Sequence, residues 1–540
     1  MRYLTISDIK LPYTADDAEI IIKARDRLRR AGIRAEGLAV YKKSLDARNK
    51  NAIQYVSTVI CRTEHKINAE RAAVFKLHEI PDPYAELAFP RGKEMSVYPP
   101  LVVGMGPCGM FAALLLARHG YKPTVIDRGG SIAERVRAVE KFTKNQVLDT
   151  ETNVQFGAGG AGTFSDGKLV TRIRDAACSY VLKPIHEHGA SDSILTSAKP
   201  HIGTDVLRSV VDSILSEIES LGGRVIYNCR LDGITEKSDG CVAHTTKGDI
   251  AASSVVLATG HSANDTYGYL MRAGYPVLPK SFSVGVRIEH LRADVERSLY
   301  GELAGDKRLP AAEYAVSDTR GERGVYTFCM CPGGYVMASA SEEGGVVTNG
   351  MSEYSRDGVN SNSAMLVSVT PEDFGNSIDC AIEFKRMLER QAFSLGGNDY
   401  GAPIITADDF KKRRCVTEPA RILPTYMDGK TRLSPLYDAM PQFLYDGLCR
   451  GLESFSAKLE CFGDGDAVLT GFETRTSSPL RIMRTSEMSV PCHDRIYPCG
   501  EGAGYAGGIT SAACDGIHAA EKIIGRFAPI EQLYTALNER

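Results

Sequence analysis

The stretch Leu101–Ala113, LVVGMGPCGMFAA, decides the fold, and a second apolar run with an acid at its end, Val125–Asp127, follows one helix later. The pattern predicts a strand, a glycine turn, an apolar helix, a second strand and a carboxylate in register. Gly104 permits the tight turn, Gly106 lets a pyrophosphate approach the backbone, and Gly109 lets helix and strand pack closely. The carboxylate can accept hydrogen bonds from a ribose. These residues therefore predict a dinucleotide site.

Composition narrows the class of protein. The chain has 540 residues, a formal net charge of −3, 43% hydrophobic and 24% charged residues, which is typical of a soluble globular protein of several domains. The charge balance favours neither nucleic acid nor an anionic membrane as a partner. Fourteen cysteines without framework spacing favour a reducing compartment. The apolar run from Leu101 to Ala117 contains Pro107 and is too short for a membrane span, so we expect a cytoplasmic protein.

The order of predicted elements indicates an α/β protein in which a Rossmann-like unit is interrupted by an insertion. Two strand–helix pairings suggest a ferredoxin-like module at the N-terminus, with Thr14 and Asn68 as helix caps, and a proline-rich linker follows it. The predicted segments are a small α/β module (1–80), the linker (81–100), a first part of the nucleotide domain (101–274), an inserted mixed α+β substrate or lid domain (275–490), and the second part of the nucleotide domain (491–540).

Two further segments match GxGxxG, namely Gly157–Gly162 and Gly502–Gly507. The first leads into turn residues, and after the second the chain stops before another strand and acid, so neither is a complete nucleotide unit. They are consistent with loops over the far half of one extended cofactor, as FAD requires, although plain turns remain the alternative. In that interpretation Glu501 accepts from ribityl hydroxyls, and a helix starting near Gly508–Thr510 points N–H groups at the flavin.

Several segments together resemble the glutathione-reductase-like superfamily of FAD-dependent oxidoreductases, and within it a bacterial family of uncharacterised FAD-dependent dehydrogenases. The loop Lys43–Arg48 of the N-terminal module also resembles this family. The other matching segments begin at the glycine turn and lie along the rest of the chain. They are Gly104–Gly109, Phe156–Leu169, Ala258–Ala263, Cys329–Gly334, Glu473–Pro479 and Gly500–Ala513. The resemblance implies a bound FAD. It also implies that Arg135 pairs with phosphate and that Leu231 offers its backbone to adenine.

Motif context and resemblance together give a set of expected FAD-binding residues. They are Gly104, Gly106, Pro107, Cys108, Gly109, Asp127, Arg128, Arg135, Gly159, Gly160, Gly162, Thr163, Ser165, Leu231, Thr259, Gly260, Gly500, Glu501, Gly507, Gly508, Ile509 and Thr510.

The chemistry itself leaves fewer marks, because a flavin carries the hydride and the protein needs at most a proton donor. Cys331, in a CxC with Cys329, is a candidate redox thiol, and inert strand cysteines are the alternative. His261 follows an Ala-Thr-Gly turn as a candidate proton donor, with a turn-capping role as the alternative. The run Arg475, Thr476 and Ser477 is a candidate substrate site or a solvated loop. The sequence has no metal-ligand spacing, so we expect no metal.

Three functions are compatible with these features. The first is an FAD-dependent oxidoreductase that moves a hydride through flavin N5 to or from a small organic substrate, with NAD(P)H as a transient electron donor. The second is a flavin monooxygenase. The third is a flavin-bearing redox-sensing protein whose N-terminal module binds a partner.

Overall fold

The computed structural model describes residues 2–83, 85 and 88–529. Its N-terminal unit is a four-stranded antiparallel sheet with two helices, and the strand order β2-β3-β1-β4 arises from two interleaved βαβ units. The elements are β1 (Arg2–Pro12), α1 (Asp17–Arg30), β2 (Glu36–Asp46), β3 (Gln54–Thr63), α2 (Ala69–Phe75) and β4 (Leu77–Ile80).

The first helix begins one residue after Asp16, so the prediction that Thr14 caps it was wrong. The Asp16 side chain accepts from the Glu19 N–H at 2.8 Å, and the Glu19 side chain accepts from the Asp16 N–H at 3.0 Å. This reciprocal capping box satisfies two free backbone donors, whereas a lone threonine satisfies one. The predicted cap of the second helix, Asn68, is confirmed by its hydrogen bond from the Arg71 N–H.

Residues 81–100 form neither helix nor strand where they are described, apart from a bridge between Glu94 and Phe527. The Glu94 carboxylate accepts from the guanidinium groups of Arg495 and Arg526. The segment is thereby tied to the end of the chain.

The next part of the chain alternates strands and helices. Its elements are β5 (Leu101–Val103), α3 (Pro107–Arg118), β6 (Thr124–Ile126), α4 (Ile132–Asn145), α5 (Ala177–Glu187), α6 (Ser193–Thr196), α7 (Thr204–Ser220), β7 (Arg224–Ile226), β8 (Leu231–Lys237), β9 (Gly240–Thr245), β10 (Ile250–Ala252), β11 (Val255–Leu257) and α8 (Asn264–Arg272).

Further along, longer strands dominate. The elements are β12 (Val277–Pro279), β13 (Phe282–Leu291), α9 (Arg292–Tyr300), β14 (Ser317–Asp318), β15 (Val325–Cys331), β16 (Tyr335–Ala338), β17 (Thr348–Met351), β18 (Asn360–Val369), α10 (Pro371–Phe374), α11 (Ile378–Gly396), β19 (Ala402–Thr406), α12 (Ala407–Lys411), β20 (Thr431–Leu433), α13 (Gln442–Ser456), β21 (Val468–Glu473), β22 (Leu480–Ile482), β23 (Ile496–Pro498) and α14 (Ile509–Arg526). Short 3-10 helices lie at Ala161–Phe164, Gly301–Leu303, Tyr426–Gly429, Leu436–Asp438 and Glu460–Gly463.

A five-stranded parallel sheet with the order β23-β11-β5-β6-β7 is the centre of the part of the chain in which strands and helices alternate. Strand β23, which lies about 240 residues after β11 in the sequence, pairs with it in this sheet. Helix α3 is buried from Cys108 to Ala117 because α14 and α7 pack against it. An apolar surface all round the helix therefore reflects a core position and not a membrane span.

A seven-stranded sheet, β14-β15-β18-β13-β21-β19-β20, forms the second half. Strands β13 and β18 pair over ten residues, from Phe282 with Val369 to Leu291 with Asn360, and both are buried along almost their whole length. No helix in the described ranges is long and apolar enough to cross a membrane.

Candidate active site

A deep cavity lies at the carboxyl ends of the parallel strands and extends to the seven-stranded sheet. One end is lined by Gly104, Asp127 and the loop around Gly160, and the other end is lined by Cys329 and Glu473. Ligands of open parallel sheets bind at this edge, where the strands end and the helices begin. The cavity is thus the candidate active site.

The three glycines of the first motif have the positions that their spacing predicts. Gly104 has a φ of +104°, and a Cβ there would lie 2.2 Å from the Ala258 carbonyl oxygen. A Cβ on Gly109 would lie 1.9 Å from the Gly104 carbonyl oxygen. At Gly106 the nearest atom to such a Cβ is 3.8 Å away, and this residue lines the cavity. The first and third glycines therefore serve packing, while the second leaves room for a ligand next to the N-terminus of α3.

Asp127 is almost fully buried and lines the cavity. Its Oδ1 accepts from the N–H groups of Gly129 and Gly157, each at 2.9 Å, and its Oδ2 accepts from the Met105 N–H at 2.8 Å. Burial raises the pKa of this carboxyl, and the three backbone donors oppose that rise without cancelling it. An ionised carboxylate has about four acceptor positions, so one remains for a ribose hydroxyl.

Arg135 holds the second glycine segment in place from behind. Its guanidinium donates to the carbonyl oxygens of Val154 at 2.8 Å and Gly160 at 3.0 Å, and also to those of Asn153 and Ala158. The side chain is fully buried and does not line the cavity. The expected pairing with phosphate is therefore corrected, because the backbone already occupies the guanidinium.

The far glycine cluster leaves space of the kind that an extended cofactor needs. A Cβ added at Gly260 or Gly507 would have no atom within 4 Å, and both residues line the cavity. His261 beside them is 6% exposed, and its buried Nε2 has no hydrogen-bond partner among the described residues. Its Nδ1 lies 3.6 Å from Glu501 Oε1. A buried polar atom without a partner, facing a cavity, fits a ligand that supplies one.

Two buried ion pairs each contribute one residue to the cavity lining, namely Glu473 and Arg475. Arg287 donates to both carboxylate oxygens of Glu473, at 2.7 and 2.9 Å, and Arg475 pairs in the same way with Glu389 at 2.8 Å. The cation of Arg475 is thus neutralised by a neighbour, although the residue lines the cavity. Thr476 donates to the Ser283 carbonyl oxygen, and Ser477 does not line the cavity.

A third charged cluster joins the glycine segment to the loop that follows β17. Asp166 is fully buried and accepts from Lys168 at 2.7 Å, from Arg356 at 2.9 Å and from the hydroxyl of Ser352. Burial alone would raise the pKa of Asp166, but the charges of Lys168 and Arg356 outweigh it and hold the pKa below its ordinary value. The carboxylate is ionised and anchors one wall of the cavity.

The positions of Cys329 and Cys331 differ from the expectation that Cys331 is the thiol at the site. Cys329 lines the cavity, whereas Cys331 is fully buried behind it, so the thiol that faces the candidate site is the one that was not selected. The strand is bulged between them, as shown by the register shift against β18 between Phe328 and Cys331. Strict alternation along a regular strand would have put both thiols on one face.

The cavity brings together most of the residues expected from sequence. Those that line it are Gly104, Gly106, Pro107, Cys108, Asp127, Arg128, Gly160, Gly162, Ser165, Leu231, Thr259, Gly260, His261, Gly500, Glu501, Gly507, Gly508, Ile509, Arg475 and Thr476. Those that lie outside its lining are Gly109, Arg135, Gly159, Thr163, Thr510, Ser477 and Cys331. Thr510, for example, donates to the Leu169 carbonyl oxygen at 2.8 Å.

Other lining residues were missed by sequence reasoning, among them Gln155, Lys168, Asn349 and Glu473. Gln155 directly precedes the glycine segment Phe156–Leu169, and Lys168 belongs to it. Their position in the sequence could therefore have indicated that they lie at the site. Asn349 comes from β17, which pairs with β16 in a two-stranded sheet, and Glu473 comes from β21 of the seven-stranded sheet. Glu473 opens the matching segment Glu473–Pro479, so a signal was available there, whereas the sequence carries no local sign that Asn349 reaches the cavity. In the described residues no cluster of His, Cys, Asp or Glu has the arrangement of a metal site.

Comparisons with known proteins agree with this geometry. A family model described as "FAD-dependent protein, C-terminal domain-like" matches residues 281–476, and one described as "FAD binding domain" matches residues 97–143. An uncharacterized protein of Clostridium beijerinckii is 43% identical over 500 residues, covering 91% of this chain and 92% of the relative. Protein FixC of Escherichia coli K12 is 26% identical over 193 residues, covering 35% of this chain and 42% of FixC.

Among solved structures, CtdE in complex with FAD is 12% identical with a TM-score of 0.35, covering 80% of this chain and 87% of that one.

Fold, cavity and family matches define a flavin-dependent enzyme with FAD as its cofactor. The chain belongs to the family of FAD-dependent proteins whose C-terminal domain matches residues 281–476 and which includes the clostridial relative.

Proposed function

We propose that this protein is an oxidoreductase that transfers a hydride between FAD and a small organic substrate bound at the Cys329–Glu473 end of the cavity. The observation that carries this proposal is the continuity of the cavity, which runs from Asp127 at one sheet to Glu473 at the other. FAD, when bound, supplies the hydride-accepting or hydride-donating centre. The residues of the protein bind and orient the cofactor and the substrate, and they exclude water from the cavity.

Each end of the cavity has side chains suited to one part of the cofactor. We assign the diphosphate to Gly106 and the N-terminus of α3, where free N–H groups and the helix dipole favour an anion. The remaining acceptor position of Asp127 suits the adenosine ribose. Glu501 and the Nε2 of His261 suit hydroxyl and carbonyl groups further along. The N-terminus of α14, at Gly508 and Ile509, favours negative charge at the reduced ring.

The domain division is part of the proposal. We assign residues 101–274 and 491–529 to a glutathione-reductase-type FAD-binding domain, with residues 275–490 inserted as the substrate domain. The last part of the predicted segment 491–540, residues 530–540, lies outside the described residues. The return of β23 to the parallel sheet supports that division. The strand order of residues 2–80 supports a ferredoxin-like N-terminal module. We also propose NAD(P)H as the electron donor. Its binding would be transient, because the sequence contains no second complete nucleotide unit to hold it.

The purified protein provides the test. Its absorption spectrum is expected to show the two visible bands of bound flavin, and anaerobic NADH or NADPH is expected to bleach them. Candidate substrates are then screened for reoxidation of the reduced flavin. A protein that takes up FAD but is bleached only by dithionite would contradict the nicotinamide donor. A protein without affinity for FAD would contradict the whole proposal.

A further inference from the structure

The segment Cys329-Met330-Cys331 has an unusual backbone for a strand. Cys329 has a φ of +43°, in the left-handed region that residues with a Cβ rarely adopt, and it lies in the bulge of β15. Such conformations persist only where the surroundings enforce them, and they cluster at functional sites. Here Arg287 donates to the Cys329 carbonyl oxygen at 2.8 Å, and Lys168 donates to the Met330 carbonyl oxygen. Two cations therefore hold the bulge in place.

The bulge makes the two thiols different from each other. Cys329 is partly exposed and lines the cavity, and Cys331 is fully buried with its thiol 3.4 Å from the Cys329 carbonyl oxygen. The interaction between the two side chains lowers the pKa of Cys329, with help from the charges of Arg287 and Lys168 and against the effect of burial. The same interaction, together with burial, raises the pKa of Cys331. An accessible thiolate next to a protonated thiol is the arrangement of an attacking and a resolving cysteine.

We propose that Cys329 and Cys331 form a redox-active thiol pair that exchanges two electrons with FAD in this cavity. The inference rests on the proposed function to the extent that FAD occupies the cleft. It goes beyond that function because it makes the protein itself an electron carrier between the flavin and the substrate end.

The exchange balances without a further reactant. The Cys329 thiolate and the Cys331 thiol lose two electrons and one proton as their S–S bond forms. Bound FAD would supply the acceptor of those two electrons and that proton when oxidised, and their donor when reduced. In the opposite direction the S–S bond breaks, Cys331 regains its proton and Cys329 returns as the thiolate.

The electron capacity of the holoenzyme tests the proposal. In an anaerobic dithionite titration, wild-type protein oxidised beforehand with diamide is expected to take up two electrons more per flavin than Cys329→Ser or Cys331→Ser. The matched control is Cys178→Ser, which disrupts a different thiol pair, Cys178 and Cys514, whose sulfurs lie 3.6 Å apart outside the cavity lining. This control is expected to keep the wild-type capacity.

Peptide mapping gives a second readout that needs neither activity nor a variant. Trypsin is expected to release residues 324–356 as one peptide, which contains Cys329 and Cys331 and no other cysteine. After mild oxidation of wild-type protein that peptide should be two hydrogens lighter and resist alkylation, and it should bind two alkyl groups after reduction. Two freely alkylated thiols after oxidation, with equal electron capacity in all proteins, would overturn the proposal. Flavin bleaching by NAD(P)H in that case would leave the proposed function intact.

Discussion

At the scale of single residues, Gly109 gives the sharpest test of the nucleotide motif. A Cβ there would lie 1.9 Å from the Gly104 carbonyl oxygen and 3.1 Å from Val102 Cγ1, so α3 must move away from β5. We expect Gly109→Ala to destabilise the fold by about 1–3 kcal/mol, the usual cost of overpacking. FAD content should fall with it, because the turn that receives the diphosphate is displaced. Thermal unfolding and the ratio of flavin to protein absorbance measure both effects.

The matched control is another helical glycine, Gly268, where a Cβ would meet only the flexible end of Arg272, at 3.1 Å. Gly268→Ala is expected to be neutral or slightly stabilising, since alanine favours helix. Equal behaviour of the two variants would contradict the close-packing role of Gly109.

Asp127 is also a single-residue case, because three backbone N–H groups converge on its carboxylate. Asn at this position offers one acceptor oxygen, and its amide NH2 group would face backbone N–H groups that now donate to the carboxylate. Hydrogen bonds to a charged group contribute about 1.5–3 kcal/mol, so we expect Asp127→Asn to weaken FAD binding by roughly 10–100-fold, as measured by quenching of flavin fluorescence. The exposed turn variant Asp239→Asn should bind FAD as wild type does. Unchanged affinity in Asp127→Asn would remove Asp127 from the site.

At the scale of elements, the first helix separates two possible caps. Asp16→Ala removes the capping box and is expected to cost the helix about 1 kcal/mol, which appears as faster hydrogen exchange in residues 17–30. Thr14→Ala, at the cap expected from sequence alone, should leave exchange unchanged because the Thr14 side chain caps no N–H of this helix. The reverse result would show that the helix begins earlier than the structure places it.

Some helices and strands could be predicted from the sequence and others could not. Helix α11 and the parallel strands were predictable, because periodicity and buried apolar runs are local properties of the chain. The bulge in β15 was not, since an extra residue in a strand leaves no local signature and is selected by Arg287 and Lys168, which are distant in sequence. For the same reason the sequence could not show that Cys329 lines the cavity while Cys331 is buried. The role expected of Arg135 was wrong because loop carbonyls, invisible in a motif, reach its guanidinium first.

At the scale of the whole molecule, Asp166 connects the glycine segment to the loop that follows β17. Its partner Lys168 belongs to the same segment, while Ser352 and Arg356 come from the other half of the chain. The glycine segment that is assigned to FAD is thereby fixed to the wall assigned to substrate. No motif reveals this connection, since it depends on tertiary packing between segments as far as 190 residues apart, as for Asp166 and Arg356. The sequence thus predicts the cofactor end of the site far better than the substrate end.

The free energy of unfolding should decrease at acidic pH because of a buried histidine that lies far from the cofactor motifs in the sequence. His290 is buried beside the rings of Tyr314 and Phe462, and burial lowers its pKa from 6.5 to about 4. Between those values the unfolded chain binds a proton that the folded chain does not, so stability is present above pH 6.5 and falls as the pH drops toward 4. One pKa unit corresponds to about 1.4 kcal/mol, so the loss from this residue is on the order of 3 kcal/mol.

His290→Phe keeps an aromatic ring in the core and has no proton to bind. We expect its unfolding midpoint to fall less steeply than that of wild type as the pH is lowered from 6.5 to 4.5, because the unfolded variant gains no proton at this position. His78→Asn, at an exposed position on β4, changes the histidine count without changing a buried group and should follow the wild-type curve. Parallel curves for all three proteins would mean that His290 is protonated equally in the folded and unfolded chain.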